Sequence, residues 1–243
     1  MARVLGSQRD NIETTLKLLR RALDDKDLSS LDPIDRGDLL VVYGNAMMTR
    51  VVGEDADNVE AAFKAFLEAR GLYAEAASPN GVAYAEYALA QALRARYYGD
   101  PNQNRKRALA HTEECLRLSD KILWPDRWAR AQLNRAAILA ERGNVSADTE
   151  LALQSLSDAQ TVLTRSSSPY EWAVAESYLA NIYLTRAHAT RHPEDIDAAT
   201  RHLYAALEIF SRDGDRSRWS DLHFNLGRVH SLRFLQGAED GAM

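Results

Sequence analysis

Cysteine occurs once in this 243-residue sequence, at Cys115, and a lone cysteine excludes an intramolecular disulfide framework. Glycine and proline are sparse, at 12 and 6 copies, while alanine, leucine, glutamate and arginine are abundant, as in helical proteins. No run of lysine and arginine stands out, and the formal net charge is −5. Proteins that grip nucleic acid neutralise phosphates with a basic stripe, so no nucleic-acid partner is expected. The longest apolar runs fall well short of a membrane span, so no membrane partner is expected either. The opening stretch from Met1 to Gly6 lacks the apolar core of a secretory signal, and the expected location is cytoplasmic. Neither a Gly-x-x-x-x-Gly-Lys phosphate loop nor a Gly-x-Gly-x-x-Gly fingerprint is present.

What the chain does contain is a repeat. Four stretches open at Pro33, Pro79, Pro125 and Pro169, and each reaches an arginine seventeen residues later: Arg50, Arg96, Arg142 and Arg186. A fifth stretch has Arg216 in place of the proline and reaches Arg233. The start-to-start spacings are 46, 46, 44 and 47 residues. A fixed period of this size means a stacked solenoid, because one helical pair cannot bury its own apolar face. The expected organisation is a single repeat domain over 1–243. It comprises a half repeat at 9–31, repeats at 32–77, 78–123, 124–167 and 168–215, a half repeat at 216–235, and a frayed tail at 236–243.

Within each repeat the apolar residues have helical period. In the fourth copy Trp172, Ala175, Leu179, Ile182 and Tyr183 line one face of a first helix. Small residues recur at one position of that helix, as Gly44, Ala90, Ala136, Ala180 and Gly227, where missing bulk lets a neighbour approach. The second helix carries small residues at Ala62, Ala108, Ala152 and Ala199, and again at Ala69, Cys115, Ala159 and Ala206. Phe66, Thr112, Leu156 and Leu203 lie between them. A polar loop with Gly53, Gly99 or Gly143 follows the arginine and reads as a C-cap, with Asn, Asp or Ser capping the next helix. Asp32, Ser78 and Ser168 precede prolines as N-caps, and Ser168 with Glu171 has capping-box spacing. Ile12 to Leu23 reads as a lone second helix and Trp219 to Leu235 as a lone first helix. The array thus starts and stops within repeats. Either it is part of a longer protein, or a second subunit covers Phe224, Leu226, Val229 and Phe234.

These columns resemble the tetratricopeptide repeat (TPR), with Leu179-Ala180, Tyr183, Ala199, Leu203 and Ala206 the best copy. The long period looks like that of repeats found beside caspase-like CHAT protease domains. The resemblance implies an all-α, right-handed superhelical solenoid of antiparallel helix pairs whose first helices line a concave groove. Carrying over the groove columns puts Asn45, Gln91, Ala137, Asn181 and Arg228 in one, and Asn134 and Asn225 in its neighbour. Amides both donate and accept, so such a ladder suits the backbone of a bound peptide; the same amides can instead tie adjacent helices together. Tyr84, Tyr87, Tyr178 and Phe224 would add flat apolar area. Tyr87 and Leu133 stand where a chaperone-binding clamp would need lysine, so an acidic chaperone tail is not the expected ligand.

Catalytic arrangements are not expected. Cys115 occupies a small core column. His188 and His192 are four residues apart, the spacing of helical metal ligands, but no third ligand is evident, so no metal or cofactor is expected. The carboxylates read as residues of solvated helix faces. The arginine column complements helix C-terminal dipoles or bonds loop carboxylates such as Glu54 and Asp100. The resulting expectation is a non-catalytic module that holds a protein or peptide partner in its groove and regulates a caspase-like effector. The alternatives are a scaffold self-associating through the terminal half repeats, and a helical enzyme with a small-molecule pocket.

Overall fold

In the computed structural model the described residues are 2–24, 31–141 and 147–240, with side chains described over 9–24, 31–141 and 147–235. Ten helices account for them: α1 (Ala2–Asp24), α2 (Pro33–Met48), α3 (Asp55–Glu75), α4 (Pro79–Ala95), α5 (Pro101–Leu118), α6 (Pro125–Glu141), α7 (Ala147–Gln160), α8 (Pro169–Thr190), α9 (Pro193–Leu207) and α10 (Arg216–Asp240). The chain is all-α among the described residues, and even-numbered helices are the first helices of the repeats. It divides into two compact units, Met1–Arg127 and Trp128–Met243.

Helix starts follow local chemistry. All six prolines begin helices, where a missing N–H costs nothing and the fixed φ is already helical. Asp32, Ser78 and Asp100 cap α2, α4 and α5 by accepting from the backbone N–H of Ile34, Gly81 and Gln103. Ser168 precedes α8 without a side-chain cap bond, and Glu171 instead pairs with Arg130 at 2.6 Å, so the capping box does not form. Two helices outrun their expected limits: α1 begins at Ala2 rather than Ile12, and α10 continues through 236–240, which were expected to fray.

In the first unit α1 packs on α2, α2 on α3, α3 on α4 and α4 on α5, and the first helices α2 and α4 also touch. In the second unit the order is α7 on α8, α8 on α9 and α9 on α10, with α8 against α10. The small-residue columns are what permit this. Ala62, Ala69, Ala90, Ala108, Cys115, Ala136, Ala152, Ala159, Ala180, Ala199 and Ala206 are all fully buried. A β-carbon on Gly44 would collide with the Phe66 ring, so glycine is required for that ring to lie against α2. Leu226 and Val229 of α10 belong to the second unit's core with Leu203, Phe210 and Leu222. They are therefore not part of an open end. Phe224 and Phe234 are, at 71 % and 77 % exposure.

The loops close by a device that recurs in the first two repeats. Gly53 and Gly99 adopt φ of +83° and +86°, the left-handed region that glycine enters without penalty. They do not cap the preceding helices, whose C-caps are Thr49 and Arg96. Five residues on, Asn58 and Asn104 lie inside the next helix, buried, and donate from Nδ2 to the carbonyls of Val52 and Tyr98 at 3.0 and 2.9 Å. The corresponding loop at residues 142–146 lies outside the described residues.

Candidate functional site

The residues expected to line a groove fall into two groups, one in each unit. In the first unit Asn45 is exposed on α2 and donates from Nδ2 to the Tyr84 hydroxyl of α4 at 3.3 Å. Gln91 donates to the Tyr87 hydroxyl one turn back along α4 at 2.8 Å. In the second unit the Asn225 amide of α10 donates to Asn181 Oδ1 of α8 at 2.8 Å, and Arg228 Nη1 donates to Asn225 Oδ1 at 3.1 Å. All these bonds run one way, towards Asn181. Arg228, Asn225 and Asn181 thus form a polarised chain whose end group, Asn181 Nδ2, is a donor, and the guanidinium keeps further N–H groups. Tyr178 is half-buried in the same unit. Desolvation, and then the charges of Arg228 and Arg191, hold the His188 imidazole below its ordinary range.

Two expected groove residues stand apart. Asn134 is 4 % exposed, so its amide is not offered to a ligand. Phe224 occupies the register of Val41, which α2 buries in the core of the first unit, rather than that of the amides. Ala137 is buried as well. The tie-rod reading of the amides holds in part: Asn45 with Tyr84, and Asn225 with Asn181, each link consecutive first helices.

The arginine column has partners other than those expected. Arg50 bonds both oxygens of Glu13 at 2.7 and 3.0 Å, and also Asn58; it does not pair with Glu54. Arg96 grips Glu60 at 2.8 and 3.0 Å rather than Asp100, and lies 4.7 Å over the Phe63 ring. Arg233 reaches Asp197 at 2.8 Å. In each case the carboxylate belongs to the second helix of the preceding repeat, so these arginines staple one repeat to the next. Arg186 and Arg233 lie within α8 and α10, and neither ends its helix; Arg186 pairs with Asp195 at 3.2 Å. Arg142 lies outside the described residues.

A second polar constellation went unseen in the sequence because carboxylates on helices read as solvated. Glu86 and Glu176, each seven residues after a repeat's proline, are 1 % and 7 % exposed. Glu86 accepts from Arg70 Nε of α3 at 2.5 Å and lies 2.5 Å from His111 Nδ1 of α5. Glu176 accepts from Gln160 Nε2 at 2.7 Å and lies 2.6 Å from His202 Nδ1 of α9. A carboxylate only accepts, so each Nδ1 carries its proton towards the acid. Burial pushes the Glu86 carboxyl up, but the bonds from His111 and Arg70 outweigh it and hold the group below the ordinary carboxylate range. The signal available in the sequence was the matched register: His111 and His202 both sit three residues past their small column, and Arg70 and Gln160 both eight past theirs.

An acid-oriented histidine is half of a nucleophile-activating pair, and the chain's one thiol lies on the same helix as His111. Cys115, one turn along α5 from His111, is fully buried with Sγ 3.7 Å from the Ser119 hydroxyl, and burial pushes its thiol pKa up. No group of three or more His, Cys, Asp or Glu among the described residues is placed to hold a metal ion. No described helix is long and apolar enough to cross a membrane. Compared with known families and curated proteins, the chain matches no family model and no curated protein.

Proposed function

We propose that the chain is a TPR-like protein-interaction module that binds an extended protein segment along the polar faces of its first helices. The observation that carries this reading is the directed chain from Arg228 through Asn225 to Asn181, which ends in unused donors on a half-exposed surface. Donors in a row suit successive backbone carbonyls of a peptide, which every sequence offers. In the first unit Asn45, Tyr84, Tyr87 and Gln91 offer an amide and aromatic surface of their own. Binding is by shape and hydrogen bonding, with no covalent step. The long repeat period favours a caspase-like effector as the regulated partner.

The test compares wild type with the Asn45→Ala/Asn181→Ala/Asn225→Ala variant as baits, with helicity and melting followed alongside. The expected result is a partner held by the wild type and lost by a variant that remains folded. Equal capture by both baits would exclude the amide faces as the binding surface.

A further inference from the structure

We infer that the exposed face of α10 is a homodimerisation surface, on which Phe224 of each copy packs over Gly227 of the other. The inference starts from a register comparison. Helix α2 buries Gly37, Leu40, Val41, Gly44 and Met47. The same five positions of α10 hold Ser220, His223, Phe224, Gly227 and His230, and every one is exposed. The face that other first helices turn to a following second helix is therefore bare on α10.

Two further observations select a second copy as its occupant. The first is self-complementarity. In the first unit an aromatic ring of one helix, Phe66 of α3, lies against a helical glycine of the preceding one, Gly44 of α2, so closely that a β-carbon would collide with it. On α10 both halves of that contact sit on one face, one turn apart: Phe224 is 71 % exposed, and a β-carbon at Gly227 would meet nothing within 4 Å. Two such faces related by an antiparallel twofold bring each ring to the other's glycine. The second observation is charge. The five positions named hold no carboxylate, lysine or arginine, so the ring and glycine of two copies meet without burying an ion between them. Docking on the exposed side of α1 of another copy would instead bury Lys17 and Arg20. Symmetric pairing is thus favoured over end-to-end stacking.

The test is the mass of the full chain in solution, by light scattering over a concentration series. Wild type is compared with Phe224→Asp, which removes the knob, and Gly227→Leu, which fills the hole from a position where a β-carbon meets nothing within 4 Å. The expected result is a wild-type mass of twice the 27.2 kDa monomer, and 27.2 kDa for both variants at concentrations where the wild type is dimeric, with helicity unchanged. A wild type that stays monomeric throughout overturns the inference and leaves the face to a different protein. So does a dimer that survives either substitution. The amide-face variant tests the other proposal independently and leaves the mass unchanged.

Discussion

Replacing Glu86 by glutamine keeps the side chain's volume and removes its charge. Glu86 is 1 % exposed and joins α4 to α3 through Arg70 and to α5 through His111, both at 2.5 Å. A hydrogen bond to a charged group contributes about 1.5–3 kcal/mol, and glutamine keeps one acceptor oxygen where the acid has two. The expected loss near neutral pH is therefore about 2 kcal/mol, or a fall of about 4–8 °C in melting temperature for a chain of this size. The pH dependence gives the sharper check. The folded-state pKa of Glu86 lies below its ordinary value of 4.5. Its contribution is thus fully present above that value and is lost as pH falls through the lower folded-state value. Thermal melts followed by far-UV circular dichroism should show a gap between wild type and variant that is constant at neutral pH and closes in acid. A gap that persists unchanged into acid would refute the assignment of a buried, ionised, doubly bonded carboxylate.

Other expectations follow from the packing. Gly44→Ala should destabilise by about 1–3 kcal/mol through overpacking against Phe66, whereas Gly71→Ala, open to solvent on α3, should stabilise by about 0.5–1 kcal/mol; urea denaturation of both variants reads the change of sign. Cys115 should ignore an aromatic disulfide reagent in the native protein and release one equivalent of thiolate on denaturation; prompt reaction of the folded chain would contradict its burial.

The repeat period alone dictated helix pairs, and the prolines and small columns located them, because these features act within one helix or between sequence neighbours. Proline at a first helical position and alanine where two helices approach are local rules, readable without coordinates. Partnerships across repeats were not readable. Arg50 and Arg96 reach back to Glu13 and Glu60, 37 and 36 residues away, past the nearer loop acids that spacing favoured. Asn58 and Asn104 looked like caps and are buried loop clamps, because the helices begin earlier, at Asp55 and Pro101. Glu86 and Glu176 read as solvated until the flanking second helices closed over them and supplied a histidine each. Among the apolar residues of α10, Leu226 and Val229 turn inward while Phe224 and Phe234 do not. Sequence sets a residue's place on a helix; which neighbour covers that face, and so whether the residue is core, staple or docking surface, is decided only by packing.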